Sequence, residues 1–156
     1  MNYLKISLLI FAIFLTQKAI SQQVNPEEAL NLVNSYRISG CDCDGKYYPP
    51  VPPLVWSIVL EKIAQKHSDD MHHRQFLSHR SSNGSSPEKR LDKAGYKWKA
   101  FAENVAMGQL DQRSAIDSWI KSKGHCTNIM NPHLTEMAIA VKGKHWTQLF
   151  ATPKDK

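Results

Sequence analysis

The stretch Ser122–Ala140, SKGHCTNIMNPHLTEMAIA, decides how this chain is built. His125, Cys126, Ile129 and Met130 recur at the spacing of a short helix that buries Ile129 and Met130 on one side. Pro132 closes that turn, because its ring removes a backbone N–H and crowds the preceding carbonyl. Directly afterwards Met137-Ala138-Ile139-Ala140-Val141 reads as a buried strand, and Glu136 before it is the carboxylate of the stretch. A histidine at a glycine-flexed helix start, beside a cysteine, is a candidate site carried on a structural joint.

Outward from this joint, Lys142-Gly143-Lys144 is a tight turn and Trp146–Ala151 a second apolar run, so an antiparallel hairpin is expected. On the other side Asp111 caps a helix whose Ala115, Ile116, Trp119 and Ile120 face inward. Lys97–Gly108 reads as loop and short strand. Within it Glu103 sits among Phe101, Ala102, Val105 and Ala106, where a carboxylate must be paired or its pKa rises. Ser85-Ser86-Pro87-Glu88 opens a helix that ends at Gly95, and Arg90 on it is expected to tie the helix to a loop carboxylate. Asn83-Gly84-Ser85 matches a glycosylation sequon but is first a turn signal.

Earlier still, Ser57 caps a helix running to about His73. Leu60, Ile63, Ala64, His67 and Met71 line one face of it, which makes His67 a hydrogen-bonded core histidine. His72 and His73, at the frayed end, are expected in solvent. Asn25-Pro26-Glu27-Glu28 starts the first helix, with Ala29, Leu30, Val33 and Tyr36 on one face until Gly40. Cys41–Pro53 is an irregular strap, extended at Pro49-Pro50-Val51-Pro52-Pro53, that positions Leu54 and Trp56.

The chain's 156 residues suit one domain with a proper core, and they contain no repeat or low-complexity tract. Met1–Ser21 reads as a signal peptide: Lys5, then the ten-residue apolar run Ile6–Leu15, then the small-x-small site Ala19-Ile20-Ser21. That run is too short for a permanent membrane span. Losing Met1–Ser21, with Lys5 and Lys18, lowers the net charge from +6 to +4. The remaining lysines are scattered rather than interleaved with aromatics, which excludes a nucleic-acid surface. Export permits disulfides. Of Cys41, Cys43 and Cys126 at least one stays unpaired within a monomer, and a Cys41–Cys43 ring would be strained. Cys-x-Cys without a second paired cluster argues against a cysteine zinc site.

Five motifs stand in order along the chain: Phe76-Leu77-Ser78-His79, Arg90–Tyr96 (RLDKAGY), Ala102–Gly108 (AENVAMG), Trp119–Met130 (WIKSKGHCTNIM) and His145–Phe150 (HWTQLF). Together they resemble the CAP superfamily of cysteine-rich secretory, venom-allergen and pathogenesis-related proteins in its short bacterial form, over residues 26–151. The resemblance implies an α+β fold, a three-layer α-β-α sandwich with a small central antiparallel sheet. It makes residues 22–156 a single domain of a secreted protein, extracellular or periplasmic. It also implies a cleft lined by two histidines and a glutamate, here His79, His125 and Glu103. The second glutamate of many members is Ser122 here, with Glu136 as a weaker substitute, and the family's Gly-Val-Gly has become Ala138-Ile139-Ala140. The family's early cysteine matches Cys43, which implies a Cys43–Cys126 bridge.

Two neutral imidazoles and a carboxylate are a donor set for zinc, and the same trio could do general acid–base work. Neither Ser78 nor Ser122 lies in a nucleophile-elbow pattern. The reading is therefore a binding or interaction module for an extracellular lipid, peptide or surface polymer. It requires no cofactor, and Zn2+ is the ion the cleft would take. A zinc-dependent, peptidase-like hydrolase and a purely structural polar cluster are the alternatives.

Overall fold

A computed structural model describes residues 23–154; the expected leader Met1–Ser21 lies outside them. Helix α1 spans Pro26–Ser39, and its cap works as its sequence requires, with Asn25 Oδ1 accepting from the Glu28 N–H at 3.1 Å. Gly40 ends it at φ +77°, where a Cβ would run into the Tyr47 hydroxyl. The strap carries a two-residue ribbon, β1 (Cys41–Asp42) and β2 (Tyr47–Tyr48), and then β3 (Val55–Trp56). Helices α2 (Ile58–Arg74) and α3 (Pro87–Lys93) precede strand β4 (Trp98–Met107). Helices α4 (Gln112–Ile120) and α5 (Lys123–Ile129) lead to the hairpin β5 (Glu136–Lys142) and β6 (His145–Pro153).

The main sheet has the order β3-β5-β6-β4. Two details correct the sequence reading. Lys97–Gly108 is not loop with a short strand but a ten-residue strand along the whole of β6, with Glu103 opposite Leu149. Lys99, Glu103 and Asn104 hide this strand in the sequence, because they break its apolar alternation. The sheet is also not wholly antiparallel, since β3 joins the β5 edge in parallel through Val55↔Glu136 and Trp56↔Met137.

Alternation along β5 separates two core layers. Met137, Ile139 and Val141 enter a core with Ala29 and Val33 of α1, Ile116 and Trp119 of α4, and Ile129 of α5. Ala138 and Ala140 point the other way, into a core with Leu60, Ile63 and Ala64 of α2 and Leu91 of α3. Each large side chain buried here stabilises by about 1.5–3 kcal/mol. Small alanines let α2 approach the sheet closely enough for Ser68 Oγ to reach the Ala140 carbonyl at 3.2 Å and Thr147 Oγ1 at 2.9 Å. This is the expected α+β sandwich, helices on both faces of one small sheet.

Two groups hold the irregular segments. Arg37, fully buried on α1, donates to the carbonyls of Pro52 (2.8 Å), Ile129 (2.5 Å), Asn131 (3.0 Å) and Leu134 (3.3 Å). Burial lowers its pKa to about 10, so it is still charged at neutral pH. The Cys43–Cys126 disulfide, Cα–Cα 5.5 Å, ties the strap to α5 across 83 residues. In the chain-entropy account a loop of that length stabilises by about 4.5 kcal/mol.

Candidate functional site

Glu103 is the centre of the polar cluster. It projects from β4 with its side chain only 2% exposed, and both oxygens are engaged. Arg90 Nη2, from α3, donates to Oε2. His79 Nδ1, from the loop after α2, lies 3.0 Å from Oε1. A carboxylate only accepts, so His79 donates from Nδ1, and in the neutral ring the lone pair stays on Nε2. That ring is half open to solvent, its side chain 53% exposed. A buried anion therefore fixes the tautomer and orientation of an accessible imidazole.

Arg90 is the arginine the sequence assigned to a structural tie, and it does more than touch one carboxylate. Its Nη1 also donates to the His79 carbonyl (2.9 Å), Ser81 Oγ (3.0 Å) and the Ser85 carbonyl (3.1 Å). The 79–85 loop is thus clamped to α3 and β4 together. His67 is the buried core histidine expected. Its Nε2 donates to the Ser78 carbonyl at 2.8 Å, its Nδ1 accepts from Ser81 Oγ at 3.3 Å, and burial lowers its pKa. Nε2 also lies 3.9 Å from Glu103 Oε1, so His67 supports the cluster from beneath.

His125 enters from α5, which is docked to β4 by an amide ladder. Asn104 Nδ2 donates to the His125 carbonyl (3.2 Å) and to Gln148 Oε1 (2.9 Å). Asn128 Nδ2 donates to Asn104 Oδ1 (2.8 Å) and to the Glu103 carbonyl (3.3 Å). The ladder fixes the backbone, while the His125 ring has no hydrogen-bond partner among the described residues. Its pKa is lowered, by burial first and by the neighbouring His79 second.

Glu136 is elsewhere. It accepts from the Tyr96 hydroxyl at 2.8 Å, and burial first, then this carboxylate, pushes that hydroxyl's pKa up. It lies two strands and two residues from Glu103 in the sheet register, on the order of 12 Å by ordinary strand spacing. Ser122 is the cap residue of α5. Of the other expectations, His73 is exposed, but His72 is half-buried and packs edge-on against His145 with ring centroids 5.6 Å apart. Its cause is the tight β5–β6 turn, which brings Gly143 against the His72 ring. Asn83 shapes its turn by accepting from the Ser85 N–H at 3.0 Å.

The donor set sorts by chemistry. His79 Nε2 and the His125 ring are imidazole-nitrogen donors of the kind suited to a borderline metal such as zinc. Glu103 has a guanidinium on one oxygen and His79 on the other, so its place is behind the histidine rather than on an ion. Among the described residues, the one group of three or more His, Cys, Asp or Glu donors lying within 4.8 Å of one another is Cys41, Cys43 and Cys126, where a disulfide has formed. Sequence reasoning missed Asn104, Asn128 and Gln148, although the Glu-Asn pair at 103–104 was the available signal.

The uncharacterized Bacillus subtilis protein YkwD is 33% identical over 100 residues, which is 63% of this chain and 39% of that protein. An extracellular SCP-domain protein from Bacillus anthracis superposes with a TM-score of 0.71 at 26% identity, over 81% of this chain and 39% of that one. An outer surface protein of Borrelia burgdorferi shares the fold at TM-score 0.68 and 16% identity, over 86% of this chain and all of that one. The chain spans about two fifths of the length of the two Bacillus proteins. Among the described residues no helix is long and apolar enough to cross a membrane. The profile of the cysteine-rich secretory protein family matches residues 30–150. Over that span of strands and helices, the chain belongs to the cysteine-rich secretory protein (CAP) family.

Proposed function

We propose that the protein is an exported binding module whose recognition element is the imidazole pair His79 and His125. The observation that carries this reading is the Arg90–Glu103–His79 relay: a buried carboxylate holding a solvent-open imidazole in one tautomer. Such preorganisation lowers the ordering cost of binding a ligand's polar or acidic group. The formed disulfide and the extracellular relatives support export. The ligand class that fits two ring nitrogens is a peptide or surface polymer offering carboxyl or amide groups, in preference to a bare lipid chain.

The same relay favours a second reading, zinc held by His79 Nε2 and His125. A histidine oriented by a carboxylate on its far nitrogen is the usual support for a metal ligand. When bound, zinc would supply Lewis acidity and a water of lowered pKa. The chain's own part is to orient the His79 ring through Glu103 and to fix the backbone that carries His125 through the Asn104–Asn128 ladder. The test is zinc calorimetry at pH 7.5 on wild type, His79→Ala and His125→Ala. One ion bound by wild type and lost in both variants selects the metal reading. No zinc, with peptide or cell-wall-polymer binding lost in both variants, selects the module. Neither ligand bound, and unchanged folding, leaves the cluster as architecture and refutes both.

A further inference from the structure

We propose that Cys41, Cys43 and Cys126 form a thiol–disulfide exchange centre, in which the bond to Cys126 migrates between Cys43 and Cys41. All three sulfurs lie within 4.8 Å of one another. The free Cys41 Sγ stands 3.7 Å from Cys126 Sγ, which is close to sulfur–sulfur contact. The arrangement follows from the chain: Cys41 lies on β1 and Cys43 opens the bend directly after it, which keeps the two sulfurs together. Both therefore meet the one cysteine that α5 presents to the strap.

The step needs no outside oxidant or reductant. Cys41 gives up its proton, its side chain turns onto the axis of the Cys43–Cys126 bond, and its thiolate attacks Cys126 Sγ. The Cys41–Cys126 bond forms as the Cys43–Cys126 bond breaks, and Cys43 leaves as the thiolate and takes the proton. The number of disulfides is unchanged, and the cross-link now spans 85 residues where it spanned 83. Cys41 is 7% exposed and the other two sulfur residues fully buried, so external thiols are kept from competing. Burial, then the Asp42 carboxylate, pushes the Cys41 thiol up, and Tyr36, itself bonded to Asp117, lies in the same field. Cys41 accordingly rests as the thiol at neutral pH, and alkaline conditions expose the exchange.

Two arms test this. Wild-type protein is held folded at pH 8.5 without added thiol, quenched in acid, alkylated and mapped without reduction. The expected result is a Cys41–Cys126 peptide, accompanied in equal amount by alkylated Cys43, absent from samples kept at pH 5. In the second arm, Cys43→Ser is oxidised with oxidised glutathione under native conditions. The expected result is a Cys41–Cys126 bridge and no titratable thiol. A wild type that yields the Cys43–Cys126 peptide alone after prolonged incubation overturns the proposal. So does a folded Cys43→Ser protein that keeps Cys41 and Cys126 unbridged. The wild-type arm carries the decision if Cys43→Ser does not fold.

Discussion

Replacing Glu103 with alanine removes the anion between Arg90 and His79 and leaves Arg90, whose side chain is 10% exposed, without its counter-charge. Breaking a buried ion pair by deleting one partner costs about 3–5 kcal/mol. For a chain of this size that corresponds to a melting temperature lower by about 10–15 °C. Glutamine is the informative contrast. It offers one acceptor and one NH2 to two facing donors, Arg90 Nη2 and His79 Nδ1–H. Arginine keeps its protons, so it takes the amide oxygen. His79 is the partner that can change, moving its proton to Nε2 and accepting the amide NH2 at Nδ1. Glu103→Gln should then lose only about 1–2 kcal/mol, while converting the solvent-facing Nε2 from a lone pair to an N–H. Urea unfolding gives the stabilities, and long-range 1H–15N spectra of the imidazoles give the tautomer. An alanine variant within 1 kcal/mol of wild type, or a glutamine variant whose Nε2 remains unprotonated, would refute the relay.

Arg37→Ala strips four carbonyls in three segments of their donor and should cost about 3–5 kcal/mol in urea unfolding; an effect under 1 kcal/mol would show that water replaces the guanidinium. Asn104→Ala, at a fully buried site joining β4 to α5, should destabilise by about 2 kcal/mol and broaden the His125 ring resonances; sharp, unshifted signals would detach His125 from the ladder. His67, His125 and His145 all have pKa values lowered by burial. The unfolded chain, with imidazoles near pKa 6.5, therefore binds protons first as pH falls, so stability present above about pH 6.5 is lost below it. Melting temperature should drop between pH 6.5 and 5, and a flat profile would contradict the burial of these rings.

Local chemistry made much of the molecule legible. The Asn25 and Asp111 caps, the stripe on α2 and the turn at Gly143 all act through neighbours in sequence, and each stands where it was expected. Glu103 could be read as needing a partner, because an unpaired carboxylate among apolar residues is too costly. Strand β4 was not legible, since its polar residues are satisfied from distant elements: Glu103 by Arg90 and His79, Asn104 by Asn128 and Gln148. Arg37 was hidden for the same reason. An arginine on a helix is ordinarily solvated, and only the folded turn around residues 129–134 creates a cluster of carbonyls that need it. The parallel β3 edge depends on two residues of pairing that no local pattern announces.

The Cys43–Cys126 bond has a further consequence wherever a protease meets the chain. The exposed turn Ser82-Asn83-Gly84 lies inside the loop the bond closes. A cut there divides the backbone but releases no fragment, because the piece carrying α1 and α2 stays covalently attached to the piece carrying β4, β5 and β6. The nicked molecule keeps every strand of its sheet, and its two halves re-form their contacts as a single tethered species rather than as a dilute pair.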